Sequence, residues 1–226
     1  MDQVPSDRRQ VWDIPLRLFH WALVILVAFQ AYTGLWGGPS AMVWHGRAGM
    51  AILALVLFRI VWGFVGGRHA RFADFVRGPA AIAKYLKGGS ADHAGHNPLG
   101  ALSVIALLVV LLTQAGTGLF ANDDILFEGP LFNYVGKETS DALTGYHYLS
   151  SRALLVLVVL HLGAIAVYRL KGNDLIRPMV TGWRKAEGSG GGTVSEVGTV
   201  PIAGSAVKAL VVLALSAAVV VGIVNL

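Results

Sequence analysis

A chain of 226 residues that is 55% hydrophobic and 14% charged, with mean hydropathy +0.63, is too apolar for an ordinary soluble domain and reads as an all-α integral membrane protein. Its net charge of +5 comes with no nucleic-acid motif and is accounted for below by membrane topology. Cysteine is absent, which excludes disulfides, Cys-ligated iron–sulfur clusters and CxxCH haem attachment within the chain, so any such group belongs to a partner.

Five stretches approach the ~20 apolar residues that a transmembrane helix requires. They are Leu16–Trp36, Met42–Gly66, Pro98–Phe120, Tyr146–Leu170 and Gly204–Asn225. The first follows arginines as a signal sequence does, but it is long for one and carries His20, so it is read as a span. The connection Gly37–Ala41 is short and makes the first two helices an antiparallel pair. The longer connection Gly67–Asn97 contains RFADFVRGPAAIAKYLKG, whose apolar spacing predicts a short amphipathic helix on the membrane surface. Residues 121–145 hold Asp123, Asp124, Glu128, Glu138 and Asp141 against Lys137 alone, an acidic surface able to steer a basic redox partner. Gly188–Thr193, GSGGGT, is a flexible linker before the fifth segment, which is rich in Ala and Val and has no histidine. No tandem repeat of a solenoid type is evident.

Basic residues set the expected orientation. With the N-terminus cytoplasmic, Arg8, Arg9 and Arg17 lie inside, as do Arg68, Arg71, Arg77, Lys84 and Lys87. Arg169, Lys171, Arg177, Arg184, Lys185 and Lys208 follow the fourth span, also inside, and only Arg47, Lys137 and Arg152 fall outside. The expectation is a multi-pass protein of a bacterial inner membrane, embedded in lipid, with a cytoplasmic N-terminus and a periplasmic C-terminus.

Four histidines lie within the apolar segments: His20, His45, His147 and His161. An ionisable group in a bilayer is costly and marks a site. His147 and His161 share one helix, and fourteen residues correspond to about 21 Å of rise and a return to within about 40° of the starting direction. They therefore point to one side near opposite membrane faces. His20 is near the inner face and His45 near the outer one. Depth pairs His20 with His161 and His45 with His147, each pair suited to one haem b, with the fourth helix serving both. Two axial imidazoles close an iron to exogenous ligands and favour electron transfer. Gly34, Gly49, Gly116, Gly118 and Gly163 permit close helix approach. Haem propionates call for cations, and Arg47 and Arg152 flank the outer histidines as Arg17 and Arg59 flank the inner ones, with Arg59 and Arg152 set deepest. His69, His93 and His96 lie in the inner connection and read as surface residues.

The strings VWDIPLRLFHW, HGRAGM with FRIVWGFVG, GHNPLGA, and HLGAIAVYRLKGNDLIRPMVTG together resemble the bacterial cytochrome b561 family, which includes the b-type cytochrome subunit of nickel–iron hydrogenases. The resemblance covers roughly Arg9 to Gly182. It implies a four-helix bundle holding two haems b on His20, His45, His147 and His161, and electron exchange with the quinone pool. The expected organisation is a di-haem bundle over residues 1–182, a Gly-rich cytoplasmic linker over 183–203, and an additional transmembrane helix over 204–226. The expected function is electron transfer between a periplasmic partner (a hydrogenase, a c-type cytochrome or another oxidoreductase) docked at loop 121–145 and the quinone pool. Two competing readings are a stand-alone superoxide:quinone oxidoreductase, with Arg47, Lys137 and Arg152 as a cationic funnel, and a non-redox transporter or scaffold.

Overall fold

The computed structural model describes residues 8–76, 78–87, 97–185 and 205–226. Helix α1 (Ile14–Trp36) starts where Asp13 supplies an N-cap: its Oδ1 accepts the Leu16 amide at 2.9 Å, and Pro15 occupies the first turn, where a missing N–H costs nothing. The chain reverses at Gly37 and Gly38, the latter with φ +64°, a conformation that favours glycine. Helix α2 (Gly38–Val65) begins there, with Pro39 in its first turn. The antiparallel pair is thus joined more tightly than the expected connection Gly37–Ala41, because the polar start of α2 is already helical.

After α2 the chain makes a 3-10 turn (Arg68–Ala70) and two short helices, α3 (Phe72–Phe75) and α4 (Pro79–Leu86). The single amphipathic helix expected over this stretch is therefore two. Gly78 is extended (φ −66°, ψ 166°) because the proline that follows it disfavours the helical region. The ring of Phe72 lies on Gly63 of α2, where a Cβ would come within 2.1 Å of it. His93, His96 and Arg77 lie outside the described residues, while His69 sits in the 3-10 turn.

Helix α5 (Pro98–Gly118) is capped by Asn97, whose Oδ1 accepts the Gly100 amide at 2.7 Å. Helix α6 (Lys137–Leu170) starts at residue 137 rather than 146. Apolarity marks where a helix can enter a bilayer, whereas KETSDALTG is polar yet compatible with helix and extends it outward. The acidic loop accordingly ends at Gly136, and Glu138 and Asp141 lie on the first turns of α6. Lys137 forms ion pairs with both Asp124, at 2.6 Å, and Asp141. Asp123 Oδ1 accepts the amides of Ile125, Leu126 and Phe127, and these bonds hold its carboxyl below the usual carboxylate range.

Beyond α6, helix α7 (Ile176–Thr181) ends at Gly182, a left-handed cap with φ +88°. The following strand, Trp183–Lys185, pairs antiparallel with Arg8–Gln10 in the register Arg8↔Lys185, Arg9↔Arg184, Gln10↔Trp183. The stretch expected to be linker thus begins with residues bound to the start of the chain, since β-pairing satisfies backbone groups that a free linker would leave to water. Residues 186–203 of that linker lie outside the described residues. The clasp is reinforced where the Val11 amide donates to Gly182 O at 2.8 Å and Trp21 Nε1 donates to Met179 O at 3.3 Å.

Helix α8 (Ala206–Val224), capped by Ser205, packs along α2. α2 is the centre of the assembly and also contacts α1 and α5, while α6 packs on α5. Ile52, Val56 and Trp62 of α2 meet Phe19, Leu108, Leu111, Ala209 and Val212 in one core, and Leu53 meets Leu119, Leu131 and Val220 in another. The five long helices α1, α2, α5, α6 and α8 are each long and apolar enough to cross a membrane. Their outward Leu and Val side chains face the surroundings, as lipid requires.

Candidate cofactor site

The four histidines occupy α1, α2 and α6. Along α6 the covered positions form a stripe through His147, Ser150, Leu154, His161 and Tyr168, while the rest of the helix is largely exposed. That stripe follows the three- and four-residue spacing of one helix face.

His45 and His147 come together at the Trp36 end of α1, with ring centroids 6.2 Å apart and planes at 72°. An imidazole nitrogen lies about 2 Å from a bound first-row metal and about 1 Å from its ring centre, so two imidazoles in line across one metal have centroids about 6 Å apart. Around these rings the hydrogen bonds define a tautomer. Thr33 Oγ1 donates its single proton to Phe29 O at 2.9 Å, so it accepts from His45 Nδ1 at 2.9 Å. His147 Nδ1 donates to Gln114 O at 2.9 Å, and its Nε2 lone pair accepts from the Gln114 side-chain amide at 2.9 Å. Ser150 Oγ donates to Gln114 Oε1 and fixes that amide. Both rings thus carry their proton on Nδ1 and keep Nε2 as the basic nitrogen, the form in which histidine ligates a metal. Gly34 and Gly118 sit against these rings: a Cβ at Gly34 would lie 3.1 Å from His45 Cε1, and one at Gly118 3.0 Å from His147 Cε1.

His20 of α1 and His161 of α6 lie within electrostatic reach of each other. His20 packs edge-on against Trp21 at 5.1 Å, and its Nδ1 is buried with no hydrogen-bond partner among the described residues. A buried, unpaired nitrogen in an apolar wall is costly unless something binds that ring. The imidazoles, apolar surroundings and close glycines fit a haem group.

The expected propionate arginines take up different positions. Arg59 is 2% exposed, with its guanidinium 4.9 Å from the Phe72 ring centroid and 5.9 Å from that of Phe75, and its Nη1 has no hydrogen-bond partner among the described residues. Arg17 Nη2 donates to Val180 O, while its Nε is buried with no hydrogen-bond partner among the described residues. Arg47 lies 4.9 Å over the Trp44 ring, and Arg152 is exposed on α6. Of the expected glycines, Gly34 and Gly118 seat histidines and Gly49 seats the Gln30 amide, whereas Gly116 and Gly163 face open space. Thr33, Thr117, Gln114 and Ser150 join the site without being singled out by hydropathy or charge. The signal for Thr33, Thr117 and Gln114 is the recurrence of Gln30–Trp36 in Gln114–Phe120, and Ser150 has none.

Residues 11–182 match the family described as prokaryotic cytochrome b561. The chain is 28% identical over 214 residues to the probable Ni/Fe-hydrogenase B-type cytochrome subunit of Azotobacter vinelandii, an alignment covering 77% of this chain and 87% of that one. It is 27% identical over 214 residues to the probable Ni/Fe-hydrogenase 1 B-type cytochrome subunit of Escherichia coli K12, covering 77% and 89%. A similar protein of Rhodobacter capsulatus, a probable Ni/Fe-hydrogenase B-type cytochrome subunit, is 23% identical over 228 residues, covering 81% and 85%. With that match over most of its length and five helices apolar enough to cross a membrane, the chain belongs to the prokaryotic cytochrome b561 family.

Proposed function

We propose that this multi-pass b-type cytochrome binds two haems b, one between His45 and His147 near the outer face and one between His20 and His161 near the inner face, and carries electrons between an outer redox partner and the quinone pool. The observation that carries this reading is the 6.2 Å approach of the His45 and His147 rings, each held with its proton on Nδ1. Haem iron, when bound, supplies a one-electron couple. The chain's part is to hold each iron between two imidazoles, exclude other ligands and set the electronic character of those imidazoles. Side chains break no bonds. The two sites are about 21 Å apart along α6, as fourteen helical residues dictate.

The nearby relatives bear the name of hydrogenase cytochrome subunits, which supports a hydrogenase-like complex as the partner class. The acidic loop is a weaker docking surface than its composition suggests, because Lys137 lies between Asp124 and Asp141. That same pairing removes one of the three cations that a superoxide funnel would need. A non-redox transporter or scaffold is at odds with membership of a cytochrome family.

The test is reoxidation of the dithionite-reduced protein by a water-soluble quinone analogue in a stopped-flow spectrometer. Wild type should show rapid loss of both reduced haem b absorptions, and His161→Ala should react slowly through its remaining haem. Reduced haems that persist in excess quinone would overturn the quinone link.

A further inference from the structure

The segment Gln30–Trp36, QAYTGLW, at the end of α1 recurs as Gln114–Phe120, QAGTGLF, at the end of α5. The copies repeat contacts as well as letters. Thr33 Oγ1 donates to Phe29 O at 2.9 Å and Thr117 Oγ1 donates to Thr113 O at 2.7 Å, in each case the carbonyl four residues back. With its proton committed, each hydroxyl offers a lone pair to an imidazole of the next helix: His45 Nδ1 lies 2.9 Å from Thr33 Oγ1, and His147 Nδ1 lies 3.4 Å from Thr117 Oγ1. The glycine after each threonine faces the same atom of its histidine, and a Cβ would stand 3.1 Å and 3.0 Å from Cε1. One three-part device thus appears twice, with α1 serving the ligand on α2 and α5 the ligand on α6.

We propose that Thr33–Gly34 and Thr117–Gly118 are matched positioning pairs for the outer haem, an inference that rests on His45 and His147 being its axial ligands. Each threonine accepts a hydrogen bond from Nδ1, which leaves Nε2 as the nitrogen that would bind the metal (at His147 in place of the Gln114 amide that meets it here) and makes the imidazole a stronger electron donor. Each glycine lets the ring lie against helix backbone, where a methyl group would push it away. At His147 the Gln114 carbonyl shares the Nδ1 proton, so Thr117 has the weaker grip of the two threonines. Among the described residues the inner pair shows no counterpart: His20 Nδ1 is buried there without a hydrogen-bond partner, from threonine or any other residue. The device therefore tunes one haem and leaves the other alone. More electron-rich ligands stabilise ferric iron, so the device lowers the outer haem's reduction potential.

The experiment is a spectroelectrochemical titration of the purified full chain, with a pyridine haemochrome count, on Thr33→Val, Thr117→Val, the double variant and Thr33→Ser. Both haems should remain in the valine variants while one midpoint potential rises and the other stays in place. Thr33→Val should shift more than Thr117→Val, and Thr33→Ser should stay at the wild-type potential because it keeps the hydroxyl. Gly34→Ala and Gly118→Ala should lower occupancy of that same haem. Two bound haems with both potentials unmoved in the double variant would overturn the proposal while leaving the axial assignment intact. Equal movement of both potentials would mark a general structural effect and overturn it too. Wild type with fewer than two haems would remove the axial assignment itself, and the proposal with it.

Discussion

Asp13 shows how much one residue at a helix start can hold. It is 3% exposed, accepts the Leu16 amide on Oδ1 and the Trp62 indole N–H on Oδ2 at 3.2 Å, and so pins the beginning of α1 to the end of α2. Its loss removes a cap and leaves a buried indole donor unpaired, each worth about 1–2 kcal/mol. Asp13→Ala should therefore lower the thermal unfolding midpoint of the detergent-solubilised protein clearly, with Asp13→Asn in between because its carbonyl still accepts one bond. A midpoint equal to wild type would show that the cap is idle. The four histidines were legible in the sequence for a physical reason: an imidazole in an apolar run stands out because it is costly there. Thr33 and Thr117 did not stand out, because a hydroxyl that donates to the carbonyl one turn back satisfies itself and passes as ordinary helix. Only their shared context, Gln-Ala-x-Thr-Gly-Leu, distinguishes them.

Among the elements, α4 is held to the body by a small polar cluster. Tyr85 OH and Tyr168 OH lie 2.7 Å apart, and Asn97 Nδ2 donates to Tyr168 OH at 2.7 Å, so one phenol ties α4 to the start of α5 and the end of α6. The bond to Tyr168 is the main reason the Tyr85 phenol is pushed up to about 12, with burial adding to it. A raised phenol pKa means that the fold prefers the neutral form. The contact's contribution is complete below the ordinary tyrosine value near 10 and fades as pH rises through about 12. Tyr168→Phe should release α4, seen as faster amide exchange over residues 79–86 with unchanged haem spectra, and unchanged exchange would mean that other contacts hold α4. The existence of a short surface helix after α2 was readable from apolar spacing, and its break was written in Gly78–Pro79. The early start of α6 was less readable, because hydropathy reports the bilayer and not the helix end.

At the scale of the whole molecule, α2 organises the fold by contacting α1, α5 and α8, and the strand pair Arg8–Gln10 with Trp183–Lys185 closes the family core on itself. That clasp brings the starting end of α1, with His20, beside the finishing end of α6, with His161. The five helices long and apolar enough to cross a membrane followed from composition and hydropathy. The seat of α8 on α2 did not, since an Ala- and Val-rich helix has no directional feature that names its neighbour: Ala209, Val212 and Val220 find theirs by close packing alone. The central claim is that the four histidines act as two pairs, His45 with His147 and His20 with His161. The most direct test is the pyridine haemochrome count on His45→Ala, His147→Ala and the double variant. Shared ligation of one haem predicts one haem per chain in all three, with the same remaining spectrum, whereas a double variant that loses both haems, or a single variant that keeps both, would contradict the pairing.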